Sequence, residues 1–238
     1  MKAMIFAAGI GSRLKPFTDK HPKALAPVNG KPLIQRTIEY LKQYGFSELV
    51  INVHHFASQI TEFLGQHQNF GCTIQFSDES EELLETGGGL KKAAPLLKSD
   101  KPILVINADI LTNLNLDNLI RYHKSVQSLV TLAVTNRSSS RNFLFDNDNL
   151  LCGWTNNQTG ELILKKETES PVPKAFSGIH VINPDLFQLM RQTGKFSIVD
   201  TYLDLCSTHR ISGFDHSEDL FIDVGKPEAL ARASALFA

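Results

Sequence analysis

Cysteine is scarce in this chain: its 238 residues include three, Cys72, Cys152 and Cys206. They are far apart and odd in number, with no CxxC pair or metal-ligand spacing. A disulfide framework and a zinc site are therefore excluded, and buried thiols in a reducing compartment are expected. Neither sign of charge dominates, because 24 Lys and Arg residues face 25 Asp and Glu, for a net charge of -1. No partnership with nucleic acid or an anionic membrane is expected, so any phosphate must be held by a local cluster. No stretch approaches the roughly 20 apolar residues that span a bilayer. The opening MKAMIFAAG is too short an apolar run for a signal peptide, and a soluble, cytoplasmic protein is expected. Internal repeats are missing too, including the hexapeptide repeats of a β-helix. What is present is 42% hydrophobic residues, ordinary for one large α/β domain in a monomer or homodimer.

The first half alternates short apolar runs with helix-period segments. Lys2–Phe6, Leu49–Val53, Thr73–Phe76 and Pro102–Asn107 read as strands. Helices are expected from Pro32 to about Gly45, over Ser58–Leu64 and over Leu90–Leu97. Alternation of this kind predicts a three-layer α/β/α sandwich of Rossmann-like type with a mixed, mainly parallel sheet. Ligands bind beyond the carboxyl ends of such strands. From about Leu129 the pattern loosens into strand-like pieces (Leu129–Thr135, Asn142–Asp146, Phe176–Ile182) and polar turns, which predict a small β-rich lobe. Helical segments follow near Asp185–Arg191, Ile198–Cys206 and Pro227–Phe237. The expected organisation is a single domain in two halves, residues 1–128 and residues 129–238.

Chemistry concentrates in AAGIGSRLKPFTDKHPKALAPV, from Ala7 to Val28. A buried strand ends at small residues, which let a ligand approach the backbone. Gly9 and Gly11 allow N–H groups to wrap an anion. Arg13 offers a planar fork to phosphate oxygens and Lys23 a point charge. Two common phosphate-binding motifs do not fit. A dinucleotide fingerprint needs a third glycine where Leu14 stands, and each Gly-Lys pair precedes Pro32, Phe196 or Pro227 rather than Ser or Thr.

In these residues the chain resembles the sugar nucleotidyltransferases, whose pyrophosphorylase motif is GxGxRxxPxTxxxPKxxxPV. Gly9, Gly11, Arg13, Pro16, Thr18, Pro22, Lys23, Pro27 and Val28 occupy every fixed position. The resemblance implies that Ala8, Gly9, Gly11, Ser12, Arg13 and Lys23 bind a nucleoside triphosphate, with Arg13 and Lys23 stabilising charge during transfer. The segment Leu84-Glu85-Thr86-Gly87-Gly88-Gly89 is bare enough for a flat group to lie against it. By resemblance, Glu85, Gly87 and Gly88 lie nearest the nucleoside. Its LETGGG form is most similar to short bacterial uridylyl- and guanylyltransferases acting on N-acetylmuramate, mannose or heptose 1-phosphates.

Asp109 follows the strand PILVIN, and Asp223 follows Leu220-Phe221-Ile222. A carboxylate at the end of an apolar strand is costly unless paired, hydrogen-bonded or bound to a metal. Magnesium takes one or two carboxylates and completes its shell with water and phosphate, and the resemblance makes Asp109 and Asp223 the Mg²⁺ ligands. Asn107-Ala108 stands where the family often has a glycine. On the acceptor side, Gly178 is expected to leave room for the sugar. Glu167 is expected to bind its hydroxyls, and Lys165 or Lys166 its phosphate. His54-His55 reads as a loop bordering the pocket.

The implied reaction is Mg²⁺-dependent transfer of a nucleoside monophosphate to a sugar 1-phosphate, with Arg13, Lys23 and Asp109 as the catalytic residues and UTP favoured over GTP. Two other classes remain open on the residues alone. One is a cytidylyltransferase acting on a non-sugar phosphate; the other is a silent nucleotide-sensing subunit.

Overall fold

The computed structural model describes residues 1–237. In the first half the strands are β1 (Lys2–Phe6), β2 (Pro27–Val28), β3 (Lys31–Pro32), β4 (Glu48–Val53), β5 (Thr73–Asp78), β6 (Ile103–Asn107) and β7 (Ile110–Thr112). Its helices are α1 (Leu33–Gln43), α2 (Ala57–Gln66), α3 (Glu85–Ala93) and α4 (Leu116–Ser125). The second half supplies β8 (Val130–Thr135), β9 (Arg141–Phe145), β10 (Leu151–Asn156), β11 (Glu161–Leu164), β12 (Val172–Ile182), β13 (Ile211–Asp215) and β14 (Phe221–Asp223). It also supplies α5 (Leu186–Leu189), α6 (Ile198–Leu205) and α7 (Pro227–Leu236).

One ten-stranded mixed sheet organises the molecule, and its main path runs β11-β10-β9-β12-β6-β1-β4-β5. β1 pairs in parallel with β4 and β6, and β4 in parallel with β5. β12 then runs antiparallel against β6, β8 and β9, while β13 joins β8 in parallel. Residues alternate across a strand, and here they feed two apolar layers. Ala3, Ile5, Ile51, Leu104 and Ile106 meet Ile34 and Ile38 of α1 and Ile60 of α2 on one face. Met4, Val50, Ile103 and Val105 meet Leu90 of α3 and Tyr202 of α6 on the other. The three-layer Rossmann-like architecture follows from that division.

The expected elements are present, with shifts that have physical reasons. Pro32 occupies the cap position just before α1, with ψ of 147°, so the first helical residue is Leu33. Helix α3 begins at Glu85, not Leu90, so the glycine run lies inside its first turns. Three elements of the second half were not anticipated, the hairpin strands β10 and β11 and the parallel strand β13. Helix α4, capped by Asn115 accepting from the Asn118 N–H, was also not anticipated. All three cysteines are buried and free. No helix among the described residues is long and apolar enough to cross a membrane.

A third apolar cluster lies under the first loop, where Leu14, Ala26 and Val28 pack with Leu111, Ile222, Val224 and Ala233. Strand β14 pairs antiparallel with β7, placing Asp223 opposite Ile110. The Val224 N–H donates to the Asp109 carbonyl at 2.8 Å. Residues more than a hundred positions apart are thereby fixed beside each other at the carboxyl edge of the sheet.

Candidate active site

A cavity of about 420 Å³ opens beyond the ends of β1, β4 and β6. Its wall includes Ala8, Gly9, Gly11, Ser12, Arg13, Lys23, Glu85, Thr86, Asp109 and Gly225. The first loop reaches this position because of Gly11, whose φ is +68°. A Cβ there would lie 2.8 Å from the Lys23 Cβ and 3.0 Å from the Thr18 Cγ2. The glycine is thus required both by its left-handed backbone and by contact with the residues it folds over. The Thr18 hydroxyl donates to the Gly11 carbonyl at 2.9 Å and closes the turn.

Lys23 and Asp109 form an ion pair in the cavity wall, their side chains 12% and 22% exposed. The Thr37 hydroxyl is shared between the Leu33 carbonyl at 3.0 Å and the Ala108 carbonyl at 3.3 Å, linking α1 to the segment that carries Asp109. Asp223 lies close enough to Asp109 to feel its charge. Desolvation first, and then the Asp109 carboxylate, raise the Asp223 pKa above the ordinary value; Lys23, Arg13 and Arg137 oppose the rise. Gly225 lets the Arg13 guanidinium approach, since a Cβ there would lie 2.9 Å from both Arg13 Nη2 and Asp223 Oδ1. Two carboxylates and three cations thus converge where phosphates and a hard divalent ion can neutralise one another. Among the described residues no group of three or more His, Cys, Asp or Glu side chains is arranged to hold a metal. A two-carboxylate site suits Mg²⁺, which takes its remaining ligands from water and phosphate.

The residues expected nearest the nucleoside divide between the cavity wall and its surroundings. Glu85 and Thr86 line the cavity, but Gly87 and Gly88 do not. Their backs are packed against another segment: a Cβ on Gly87 would lie 2.4 Å from the Phe196 ring, and one on Gly88 2.2 Å from the Gly194 carbonyl oxygen. The Gly87 N–H donates to the Phe196 carbonyl at 2.9 Å. On the sides where a Cβ would stand, these glycines admit the neighbouring 194–196 loop.

The residues expected on the acceptor side lie apart from this cavity, with Gly178 beside it. Neither Lys165 nor Glu167 reaches the cavity wall, and both are exposed. Lys165 follows the β10–β11 hairpin and faces Asp204 of α6 at 3.8 Å. Gly178 is placed next to the site: its φ is +70°, and a Cβ would meet Asn107 Nδ2 at 2.6 Å. It makes room for a cavity-lining side chain. His54 and His55 do not line the cavity, although His54 Nδ1 lies 2.7 Å from the Glu79 carbonyl oxygen.

Asn52, Glu79 and Asn107 line the cavity without belonging to any motif recognised in the sequence. Phe6 of β1 is in register with Asn52 on one side and Asn107 on the other. The available signal was a polar residue near or at the carboxyl end of an otherwise apolar buried strand, which appears in both ELVINV and ILVIN.

Residues 2–238 match the family described as nucleotidyl transferase. The chain is 33% identical over 242 residues to N-acetylmuramate alpha-1-phosphate uridylyltransferase of Neisseria meningitidis serogroup B, covering 99% of this chain and 98% of that one. It is 28% identical to the mannose-1-phosphate guanyltransferase of Gibberella zeae, covering all of this chain and 64% of that longer protein. The crystal structure of HddC from Yersinia pseudotuberculosis complexed with GMP-PN superposes with a TM-score of 0.78 at 22% identity, covering 100% of this chain and 99% of that one. A match along nearly the whole chain, joined to the shared fold, makes this protein a member of the nucleotidyl transferase family.

Proposed function

We propose that the chain transfers a nucleoside monophosphate from a nucleoside triphosphate to a sugar 1-phosphate, releasing pyrophosphate, with UTP preferred to GTP. The observation that carries this reading is the meeting of Arg13, Lys23 and Asp109 in one cavity wall, with Asp223 lining the adjoining cavity that shares Arg13 and Gly225. The preference for UTP follows the end-to-end likeness to a uridylyltransferase, and N-acetylmuramate 1-phosphate is the first acceptor to try. An acceptor phosphate oxygen attacks the α-phosphorus while the bond to the β-phosphoryl oxygen breaks. That phosphate is already anionic near neutral pH, so no general base is needed. The work of the chain is therefore positioning and charge neutralisation. Gly9 and Gly11 let the loop backbone approach the triphosphate. Arg13 holds the departing pyrophosphate, and Lys23 offsets charge around the transferred phosphoryl group. Asp109 and Asp223 are the residues that would hold Mg²⁺, which supplies Lewis-acid polarisation of phosphoryl oxygens.

The test is pyrophosphate release from a matrix of UTP, GTP, CTP and dTTP against sugar 1-phosphates and phosphocholine. Turnover with UTP and a sugar 1-phosphate is expected. A preference for CTP with phosphocholine would identify the non-sugar cytidylyltransferase instead, and nucleotide binding without turnover would identify a sensing subunit.

A further inference from the structure

Beneath the cavity a line of hydrogen bonds ties the phosphate loop to the nucleoside end. The Ala7 N–H donates to Asn52 Oδ1 at 2.7 Å. Asn52 Nδ2 donates to Glu79 Oε1 at 2.7 Å, and the Leu84 N–H donates to Glu79 Oε2 at 3.0 Å. Asn52 is 3% exposed and Glu79 fully buried. The main chain of Glu79 is fixed as well, its N–H donating to the Val53 carbonyl at 2.8 Å. Ala7 immediately precedes the cavity-lining pair Ala8-Gly9, and Leu84 immediately precedes Glu85. Glu85 is held at φ of +60°, a conformation that persists for such a residue only when its surroundings enforce it.

We infer that Asn52 and Glu79 are positioning residues for the nucleotide, setting the span between the phosphate loop and the α3 head. This rests on the proposed function, and it adds a role for two buried side chains that belong to no loop motif. The pair acts through backbone, since each contact ends on an amide N–H at the mouth of a substrate-facing loop. Donors and acceptors are matched one to one. Asn52→Asp alone would set two carboxylates against each other, and Glu79→Gln alone would oppose two N–H groups whichever way its amide turned. Made together, the two changes restore every bond: the new carboxylate accepts from Ala7 and from the new amide, whose oxygen accepts from Leu84.

The experiment compares wild type, E79Q, N52D and the N52D/E79Q double variant. Binding of magnesium UTP and magnesium GTP is measured by calorimetry without acceptor, alongside steady-state kinetics and thermal unfolding. E79Q is expected to weaken nucleotide binding and raise the nucleotide KM about tenfold, the usual scale for a buried polar group left unpaired. Its kcat at saturating nucleotide should stay within about threefold of wild type, because the Lys23–Asp109 region is untouched. The double variant should recover wild-type binding to within about twofold. If a single variant does not fold, the double variant decides: wild-type affinity supports the pair, and weakened affinity or failure to fold overturns it. E79Q with unchanged nucleotide KM would also overturn it. Wild-type protein that binds nucleotide but transfers it to no sugar phosphate would refute the proposed function while leaving the positioning claim open to the same binding comparison.

Discussion

Lys23 and Asp109 neutralise each other in the cavity wall, and each is therefore sensitive to loss of the other. Lys23→Ala or Asp109→Asn should lower kcat by on the order of 10²–10³, the effect of losing one preorganised charge contact. Near-normal turnover in either folded variant would remove the catalytic assignment. A second single-residue effect concerns His180, which is completely buried and has no hydrogen-bond partner on either ring nitrogen among the described residues. Desolvation lowers its pKa to about 3, well below the ordinary value of about 6.5. The unfolded chain thus binds a proton that the folded chain refuses between those values. This contribution to stability is complete above about pH 6.5 and falls as pH drops toward 3, by up to about 1.4 kcal/mol per unit. His180→Leu should flatten the acid limb of a melting-temperature profile, leaving the residual slope to His123 and His216 and to the carboxyls of Glu39, Asp78 and Asp215, whose pKa values are also lowered. An unchanged profile would show that His180 does not govern it. At this scale the sequence was legible where chemistry is local, as in the span from Gly9 to Lys23. Asn52 and Glu79 were not legible, because their partnership exists only once β4 and β5 lie side by side.

At the scale of elements, the glycines of α3 carry a prediction about packing. Gly88→Ala would push a methyl group into the Gly194 backbone carbonyl, which cannot swing aside as a side chain end can. A cost of about 1–3 kcal/mol is expected for such overpacking, and a lower melting temperature with a raised nucleotide KM should accompany it. Unchanged values of both would mean that the 194–196 segment yields freely. The same element explains a displaced boundary: three successive glycines argue against a helix by propensity, yet tertiary contacts at Phe196 and Gly194 hold them in one. The parallel strands of the first half were readable because strands covered on both faces are continuous apolar runs. In the second half, β10 and β11 take their places from antiparallel neighbours and a hairpin, and no periodicity in Lys165–Glu169 indicated which side that hairpin would face.

For the whole molecule, the long strand β12 joins the two halves by pairing with β6 of one and with β8 and β9 of the other. The apolar layer containing Met4 and Val50 also contains Phe143 and Phe145, and Trp154 packs against it. Trp154, the sole tryptophan, lies in the second half. Its fluorescence and the far-ultraviolet circular dichroism of the whole chain should lose signal in one coincident denaturant transition; two separated midpoints would show that the halves unfold independently.

The segment from Met190 to Ile198 grips α3 throughout. Lys91 Nζ donates to the Met190 and Gln192 carbonyls at 2.8 and 2.6 Å, the Phe196 N–H to Leu84 at 3.2 Å, and the Ile198 N–H to the Thr86 hydroxyl at 3.0 Å. The halves are consequently not interchangeable modules. A chimera joining the first half of one relative to the second half of another would inherit a mismatched clasp on its own α3. Grafting residues 190–198 together with the donor's α3 is the unit of exchange that keeps the clasp intact.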